Sequence, residues 1–349
     1  MSDGKRILLT AHPDGMPDET HLRLESMPIP QPGSGEVLLR TVYLSLDPYM
    51  RGRMNPGKSY AQPVELGAPM VGGTVCEVME SHRDGFAEGD LVLAATGWQT
   101  HALSDGSGLR KLDPKAAPIT TALGVMGMPG LTAYVGLFDH GRPQPGETVV
   151  VSAAAGAVGQ VVGQIAKLKG CRVVGIAGAA DKCAYVVEEL GFDAAVNYRA
   201  SDFAEQLAKA CAEGVDVYFE NVGGAVFDAV LPLMNDFGRI PVCGRIAHYN
   251  NAAASGGVEG GASPLVRTMG LVLVRRLTLR GFIVSDHADR LDDFLRDMGG
   301  WLRSGQLRYR EDLVQGLDSA IDAFQGLLEG RNRGKLLVQV GADPTLPPT

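Results

Sequence analysis

Hydrophobic and polar positions follow one pattern in the first third of the chain and another in the rest. Up to about residue 125, short apolar runs alternate with Pro- and Gly-rich turns, as at 36–44, 72–79 and 90–94. Runs of this length bounded by turn residues are typical of β-strands. No long segment with a 3.6-residue period interrupts them. The pattern predicts an all-β first region, which could close into a barrel.

From about residue 129, apolar runs of strand length alternate with amphipathic segments of helix length. The predicted strands are 149–153, 171–177, 194–197, 215–220 and 238–243. The predicted helices are 156–168, 181–190, 202–212, 226–233 and 290–303. Strands and helices alternating at this pace indicate a parallel sheet with helices on both faces.

The C-terminal part adds a predicted helix at 318–328 and a strand at 335–340. That strand resembles those of the first region, so the chain could return to it. A chain of 349 residues is also longer than a single domain with one hydrophobic core usually is. We therefore predict an α/β protein of two domains. Residues 1–125 with 309–349 form the β-rich domain, and 126–308 form a doubly wound domain with a parallel sheet.

Composition and charge narrow the classes of function. Hydrophobic residues make up 45% and charged residues 21% of the chain, as in globular proteins. The net charge of −8 argues against a nucleic-acid backbone as the main partner. The apolar stretch 149–166 contains Ser152, Gln160 and Gln164, so a buried strand and helix suit it better than a membrane span. Without a signal-peptide pattern at the start, we expect a cytoplasmic protein.

The cysteine pattern argues against disulfide bonds and a structural zinc site. The five cysteines are scattered and form no CxxC pair, so neither a disulfide framework nor a structural zinc lobe is indicated. Most of them are expected to be small buried hydrophobic residues.

A dinucleotide fingerprint lies between the first predicted strand and helix of the second domain. Residues 151–159 read Val-Ser-Ala-Ala-Ala-Gly-Ala-Val-Gly, with Ala153 where the first glycine usually stands. Gly156 would let the backbone approach a pyrophosphate, and Gly159 would let the helix pack closely on the strand. The helix N-terminus would supply amide groups and positive dipole. The predicted pyrophosphate site comprises Gly156, Ala157, Val158 and Gly159.

The end of the second strand bears on the choice of cofactor. An NAD enzyme usually places Asp or Glu there for the ribose 2′-hydroxyl, whereas residues 177–180 contain no acid. Lys182 follows and would suit a 2′-phosphate, although on position alone it could equally be a solvated lysine at a helix start. Asp181 could cap that helix. These residues favour NADPH.

Six motifs, in this order along the chain, carry a family resemblance. They are LSLDPYMRGRM (44–54), MVGGTV (70–75), GMPGLTAYVGL (127–137), GAVGQVVGQIAKLKGCRVVG (156–175), ENVGG (220–224) and GRIPVCG (238–244). The chain resembles the medium-chain dehydrogenase/reductase superfamily, in the branch of prostaglandin reductases, plant alkenal double-bond reductases and bacterial curcumin reductases. The resemblance spans nearly the whole chain. It implies a Rossmann domain, with a doubly wound parallel sheet, and a β-rich GroES-like catalytic domain.

The zinc ligands of other superfamily members are missing. Zinc-dependent relatives carry a Cys three residues before an Asp, where this chain has Leu44 before Asp47. Their Gly-His-Glu motif is replaced by Ala68-Pro69-Met70. Leu, Pro and Met cannot supply the thiolate, imidazole and carboxylate that a catalytic zinc needs. We therefore expect no metal, and hydride addition to an already electrophilic carbon in place of alcohol oxidation.

The resemblance implies further NADPH contacts at matching positions. Lys182 and Tyr198 would contact the 2′-phosphate, and Asn221 would lie beside the ribose. The nicotinamide end would be lined by Cys243, Gly244 and the residues up to Tyr249, and by Phe282, Ile283 and Val284. Asn332 would reach the cofactor from the C-terminal loop. Cys243 is expected to contribute its backbone, with an inert thiol. Tyr198 could instead be a half-buried aromatic residue at a strand end.

Hydride transfer to the β-carbon of an enone leaves negative charge on the carbonyl oxygen, which the site must stabilise with fixed donors. Two tyrosines at matching positions, Tyr249 and Tyr60, are the catalytic candidates that the resemblance implies, and either could be a packing residue. His248 is a weaker candidate proton donor, and water could deliver the final proton. The Ala/Gly-rich loop 252–262 departs from the animal relatives and could cover the substrate.

Together these features predict a homodimeric enzyme that uses NADPH to reduce the carbon–carbon double bond of α,β-unsaturated aldehydes or ketones. Neither a nucleic acid nor a membrane is an expected partner. Two alternatives remain at this point: an NADPH quinone reductase, and a non-catalytic NADPH-binding protein of the same fold. The sequence does not name the physiological substrate.

Overall fold

The computed structural model describes residues 4–57, 59–250 and 264–347. The chain divides into two compact units. The first comprises Met1–Gly124 and Glu311–Thr349, and the second comprises Val125–Arg310. The predicted substrate-covering loop, 252–262, lies outside the described residues.

Seven short strands form the N-terminal part of the first unit. They are β1 (Gly4–Leu9), β2 (Leu22–Met27), β3 (Val37–Ser45), β4 (Thr74–Ser81), β5 (Leu91–Ala94), β6 (His101–Ser104) and β7 (Arg110–Lys111). The three strands predicted here correspond to β3, β4 and β5, with ends shifted by no more than two residues. The prediction of a purely β region was wrong in one respect, because a helix, α1 (Tyr49–Arg53), follows β3. Five residues are too few to show a helical period.

Strand β3 organises the first unit. It pairs with both β4 and β6 in antiparallel fashion, and β5 and β7 continue the sheet. Apolar side chains from β3 and α1, including Leu44 and Met50, pack with the fully buried Trp98. This core supports the turn that joins β3 to α1.

The second unit contains one parallel six-stranded sheet. Its strands are β8 (Thr148–Ser152), β9 (Arg172–Ala177), β10 (Ala194–Asn197), β11 (Val215–Phe219), β12 (Met234–Val242) and β13 (Thr278–Gly281). Their order in the sheet is β10-β9-β8-β11-β12-β13. This is the doubly wound Rossmann order, in which the direction of winding reverses between the first and fourth strands. The predicted fold class is thus confirmed.

Seven α-helices lie in the described part of the second unit. They are α2 (Met128–Val135), α3 (Gly159–Leu168), α4 (Ala180–Glu188), α5 (Phe203–Ala210), α6 (Gly224–Val230), α7 (Pro264–Arg275) and α8 (Leu291–Arg303). Helix α3 begins three residues later than predicted, because 153–158 form a loop. Helix α7 and strand β13 were not predicted. Helix α7 carries apolar residues around most of its circumference.

The side chains of β8 show why helices cover both faces of this sheet. Val149 and Val151 pack with Ile165 of α3 in one apolar cluster. Val150, which points to the opposite face, packs with Leu207 of α5 in another. Alternate side chains of a strand point to opposite faces, so a continuous apolar run requires cover on both sides.

The C-terminal segment belongs to the first unit. It comprises β14 (Glu311–Gln315), α9 (Ala320–Leu328) and β15 (Lys335–Gln339). Strand β15 pairs antiparallel with β3 and parallel with β14, which was not predicted. Among the described helices, none has both the length and the apolar character to cross a membrane.

Candidate functional site

The loop after β8 has the backbone geometry of a phosphate-binding turn. Ala153 adopts a positive φ of 49°, in the left-handed region that glycine favours. It therefore takes the conformation usually given to the first glycine of the fingerprint, at some cost in strain. The N–H of Gly156 then donates to the Ala153 carbonyl oxygen at 2.9 Å and closes the turn.

Gly159 begins α3 at a position where no side chain fits. A Cβ atom there would lie 2.8 Å from the Cα of Ala154 and closer still to the carbonyl oxygen of Ala153. Both are backbone atoms, which cannot move aside as the end of a flexible side chain can. The absence of a side chain at Gly159 brings the start of α3 against the strand-to-helix loop.

The N-terminus of α3 has no side-chain cap at Val158. Gly156, Ala157 and Val158 are half-buried, so their backbone lies within reach of a bound molecule. The first amides of a helix and its dipole favour an anion at this end. The arrangement is suited to a pyrophosphate.

Tyr198 and Lys182 both follow carboxyl ends of strands in the same sheet. Tyr198 comes directly after β10, and its N–H donates to the carbonyl oxygen of Ala177 at 3.0 Å. Its ring lies against Gly178, where a Cβ would be 2.8 Å from a ring carbon. Lys182 is half-buried in the first turn of α4. The predicted 2′-phosphate residues therefore lie beyond neighbouring strands β9 and β10.

One basic residue in this region was missed. The Arg199 guanidinium lies 5.6 Å from the centre of the Tyr198 ring. An arginine after a strand is common, so the sequence alone did not single out Arg199. Its contact with the Tyr198 ring is what places it in this region. The suggestion that Asp181 caps α4 was wrong, since the helix begins at Ala180 and Ala179 occupies the N-cap.

Asn221 joins the ends of β8 and β11. Its side-chain Nδ2 donates to the carbonyl oxygen of Ser152 at 2.7 Å, and its backbone N–H donates to Ser152 Oγ at 2.8 Å. The carboxyl ends of these two strands form the crevice at which doubly wound folds bind ligands. Asn221 is thus fixed at this crevice.

The buried Glu220 precedes Asn221 and was not among the predicted site residues. It is 2% exposed, and its Oε1 accepts hydrogen bonds from the N–H groups of Val222 and, at 2.8 Å, Gly223. Burial raises the pKa of this carboxyl group. A glutamate at a strand end gives no sign in the sequence that it is buried.

Cys243 and Gly244 lie beside this turn. Their N–H groups donate to the backbone carbonyl oxygen of Glu220 at 2.8 and 3.1 Å. The side chain of Cys243 packs against the apolar core, and burial raises the pKa of its thiol to about 12. The thiol is therefore protonated and poorly nucleophilic at neutral pH, which supports a backbone role.

Tyr249 and His248 end the segment that follows Gly244. The Tyr249 hydroxyl oxygen accepts a hydrogen bond from the N–H of Arg245 at 3.4 Å. That bond uses a lone pair of the phenol and not its proton. The ring of His248 lies over Gly223, where a Cβ would be 3.0 Å from a ring carbon. The glycines of ENVGG therefore admit the segment that carries both candidate donors.

Phe282 turns its ring into the core. A Cβ on Gly136 would lie 2.6 Å from both the Phe282 and Phe219 rings, so glycine makes room for them. Phe282, Ile283 and Val284 follow β13 and are half-buried. The ring of Phe282 therefore has a packing role in this unit.

The first unit holds the remaining candidates. Tyr60 is 62% exposed. Asn332 is half-buried and donates from Nδ2 to the carbonyl oxygen of Gly334 at 2.9 Å. Tyr49, which the sequence analysis missed, is half-buried at the start of α1, where burial and the neighbouring Asp47 raise the pKa of its phenol. The predicted residues thus fall into two groups, one in each unit.

A buried ion pair fixes the turn before Tyr49. The Nζ of Lys335 donates to the carbonyl oxygen of Leu46 at 2.7 Å and to Asp47 Oδ1 at 2.9 Å. Removing one partner would leave the other charge buried and alone, which is strongly destabilising. Asp47 has therefore a structural partner in this chain.

The positions of the missing zinc ligands are packing positions. Leu44 and Met70 are both fully buried in the apolar core of the first unit. Within the described ranges, no group of three or more His, Cys, Asp or Glu residues could hold a metal ion. Leu44 and Met70 therefore stabilise the hydrophobic core at positions where zinc-dependent relatives have metal ligands.

Two family models match the chain. One, described as the N-terminal domain of oxidoreductase, covers residues 5–112, and the other, described as zinc-binding dehydrogenase, covers 157–298. The match to the second concerns the Rossmann unit and not the positions at which zinc ligands occur.

Characterised relatives and a solved structure agree with these models. The chain is 51% identical over 340 residues to NADPH-dependent curcumin reductase of Escherichia coli, covering 97% of each chain. It is 39% identical to a 2-alkenal reductase (NADP(+)-dependent) of Nicotiana tabacum, covering 97% of this chain and 98% of that one. The crystal structure of CurA from Vibrio vulnificus in complex with NADPH has a TM-score of 0.93 and 52% identity, covering 97% of this chain and 100% of that one. The chain therefore belongs to the medium-chain dehydrogenase/reductase superfamily, in the zinc-independent branch that contains the curcumin, prostaglandin and alkenal reductases.

Proposed function

We propose that this protein is an NADPH-dependent oxidoreductase that reduces the carbon–carbon double bond of α,β-unsaturated aldehydes or ketones. Membership of the double-bond reductase branch supports the reaction. The geometry that carries the proposal is in the second unit. There an uncapped helix N-terminus, Tyr198 and Lys182 follow the ends of adjacent parallel strands, an arrangement suited to a phosphorylated dinucleotide.

The proposed cofactor contacts divide by chemistry. Gly156, Ala157, Val158 and Gly159 receive the pyrophosphate through their backbone. Lys182 and Tyr198 receive the 2′-phosphate, with Arg199 as a further cation. Asn221 lies beside the ribose, and Cys243, Gly244, Tyr249, Phe282, Ile283 and Val284 line the nicotinamide end. Asn332 contributes from the first unit. Bound NADPH supplies the hydride.

The protein's own catalytic task is to stabilise negative charge on the substrate oxygen. We propose that Tyr249 donates its phenolic proton in a hydrogen bond to that oxygen as charge develops. Tyr60 is a second candidate donor. The proton that completes the reaction at the α-carbon comes from Tyr249 or from water.

The test is consumption of NADPH by the purified full-length protein with an enal, an enone and a quinone in parallel. We expect consumption with the enal and the enone, a product saturated at the former double bond, and unchanged rates in the presence of a metal chelator. Consumption with the quinone alone would identify a quinone reductase. Binding of NADPH without consumption would identify a non-catalytic binding protein.

We also propose that the protein is a homodimer. Strand β13 lies at the end of the sheet, and all four of its residues are exposed. Helix α7 packs Leu271 and Val272 against the core of its unit and exposes another row of apolar side chains, formed by Leu265, Val266, Met269 and Leu273. An exposed strand edge beside an apolar helix face is the kind of surface that a second copy covers.

A cytoplasmic location is part of the same proposal. All five cysteines are free thiols, as is usual in a reducing compartment. Separation of soluble and membrane fractions of expressing cells, with the activity assayed in each, tests this location.

A further inference from the structure

Glu220 is a buried carboxyl group that the reaction outlined above does not use. Its Oε1 accepts from the N–H groups of Val222 and Gly223, and Ser152 Oγ lies 3.4 Å away. Its Oε2 is buried, and the hydroxyl of Tyr218 acts on the carboxyl group from the preceding strand. Burying a carboxyl group is costly, so a role that compensates for the cost is expected.

The Glu220 carboxyl group fixes one turn by hydrogen bonds, and a second turn is attached to the first by backbone hydrogen bonds. The first, residues 220–224, is closed by the two hydrogen bonds to Oε1 and contains Gly223 at a φ of 78°. The second, residues 243–249, is attached to it by backbone hydrogen bonds. The N–H groups of Cys243 and Gly244 donate to Glu220, that of Ile246 donates to Asn221, and that of Ala247 donates to Val222.

We propose that Glu220 is a positioning residue for hydride transfer. Its carboxyl group fixes the 220–224 turn, and through that turn it fixes the 243–249 turn with Tyr249 at its end. The inference rests on the proposed function and deepens it, because it adds the group that sets the place of the proposed donor.

Polar groups from several elements face the Glu220 carboxyl group, and burial raises its pKa while their hydrogen bonds lower it. The buried hydroxyl of Tyr218 acts on it from the strand that precedes it. The thiol of Cys243 faces it from the end of β12 and Ser152 faces it from β8, while His248 lies over Gly223. Burial in these surroundings raises the pKa of the carboxyl. An amide should replace the carboxyl group well, because the essential feature is one acceptor oxygen for the N–H groups of Val222 and Gly223.

Two substitutions separate positioning from packing. Glu220→Gln keeps the acceptor oxygen, whereas Glu220→Met keeps the approximate volume and loses the acceptor. We expect Glu220→Met to lower kcat for an enone by about tenfold or more, the effect of about 1.4 kcal/mol on the barrier. The dissociation constant for NADPH should rise by a smaller factor than that by which kcat falls, because the phosphate contacts lie outside both turns and are retained. Glu220→Gln should stay within about threefold of the parent in both quantities.

The control is Glu188→Gln, which removes an exposed carboxyl on α4 and should change neither quantity. NADPH binding is measured by fluorescence titration, and kcat by NADPH consumption, on full-length protein. Should Glu220→Met fail to fold, Glu220→Asp takes its place, because it withdraws the acceptor by one methylene while keeping a carboxyl. The expected result is again a lower kcat with NADPH affinity retained.

Three outcomes overturn the inference: parental kcat in the folded Met variant, parental kcat in the Asp variant, or equal loss of kcat in the Gln and Met variants. The last would assign the role to the proton or charge of Glu220 in place of its acceptor oxygen. Failure of the proposed function is a different result, since it appears as an inactive parent protein.

Discussion

The Tyr249 hydroxyl accepts a hydrogen bond from the N–H of Arg245 and is bound to a segment that the 220–224 turn holds in place. A donor fixed in this way needs little reorganisation when charge develops on a substrate, which is the condition for strong electrostatic stabilisation. At the residue scale, then, the site's chemistry depends on a few hydrogen-bonding atoms whose places are set by backbone.

Replacing Tyr249 by Phe removes only the hydroxyl. We expect kcat with a simple enone to fall by about two orders of magnitude, the usual effect of losing one oxyanion donor. KM and NADPH affinity should change little, because the lost interaction forms mainly in the transition state. Steady-state kinetics provides the measurement. Tyr134→Phe, which removes a hydroxyl bonded to Asp297 within the core, is the control. A turnover within about threefold of the parent would make Tyr249 a wall of the pocket.

Lys182 is expected to discriminate between the two nicotinamide cofactors. A charge-assisted contact to the 2′-phosphate contributes about 1.5–3 kcal/mol. Lys182→Ala should therefore weaken NADPH binding by about one to two decades and leave NADH binding nearly unchanged. Titration with both cofactors measures this, and Lys209→Ala, which removes an exposed lysine on α5, is the control. Equal weakening of both cofactors would show that Lys182 acts on the fold.

Two kinds of element position these residues: strand ends, which place them at one edge of a sheet, and tight turns, which fix their backbone. The turn after β8 combines a strained alanine, Ala153, with a glycine, Gly159, that no side chain can replace. The turn after β11 depends on a buried carboxyl. A separate prediction about stability follows for each of these two turns.

At the first turn, a glycine and an alanine should respond differently to exchange. Gly159→Ala places a Cβ against backbone atoms and should lower the free energy of unfolding by about 1–3 kcal/mol, with loss of NADPH binding. Ala153→Gly relieves about 1–2 kcal/mol of left-handed strain and loses about 0.4–1 kcal/mol through the freer unfolded chain, so stability should change little. Urea unfolding measures both.

The control for Gly159→Ala is Gly300→Ala in α8. A Cβ at Gly300 meets no atom within 4 Å, so the same exchange should stabilise the protein by about 0.5–1 kcal/mol. If Gly159→Ala were as stable as the parent, the close approach of α3 to the loop would be disproved.

At the second turn, stability should depend on pH through Glu220. Because the folded state raises the pKa of this carboxyl above 4.5, the folded protein binds the proton more tightly than the unfolded chain. The parent therefore loses stability as pH rises from about 4.5 through the folded-state pKa, and no further above it. Glu220→Gln lacks this loss, so its stability relative to the parent should grow over that range. Urea unfolding across pH tests this, with Glu188→Gln as control, and a constant difference would contradict it.

For the whole molecule, the main open face is in the second unit. Helix α7 packs one apolar side against the core of its unit and exposes another, and β13 is the last of the described strands at this end of the sheet. Monomeric proteins rarely leave so contiguous an apolar surface to solvent. This face supports the proposed homodimer.

Leu273→Asp should disrupt that dimer. Leu273 is 77% exposed, so the substitution costs the monomer little, but it places a charge within an apolar interface. We expect association to weaken by about two decades, as for the loss of an anchor of about 2–3 kcal/mol. Light scattering over a range of concentrations measures this. Leu66→Asp, at a leucine 53% exposed in the first unit, is the control. A dimer unaffected by Leu273→Asp would place the interface elsewhere.

Local pattern was enough to predict most of the fold. The run Val149–Val151 is apolar at every position, and such a run requires cover on both faces of a sheet, so a parallel sheet was predictable before any strand was paired. The fingerprint around Gly156, the absence of an acid after β9 and the loss of zinc ligands at Leu44 and Met70 were equally readable, because each depends on residue type at a local position.

Tertiary structure alone decided which distant atoms meet. The sequence contains Glu220, Arg199 and Phe282 without any sign that the first is buried under two turns, the second lies on Tyr198, or the third turns its ring into the core. These facts depend on strand order, on the positive φ at Ala153 and Gly223, and on space left by Gly136 and Gly178. Periodicity along a chain encodes whether a residue is buried, whereas its neighbours across a sheet are set only when the strands have paired.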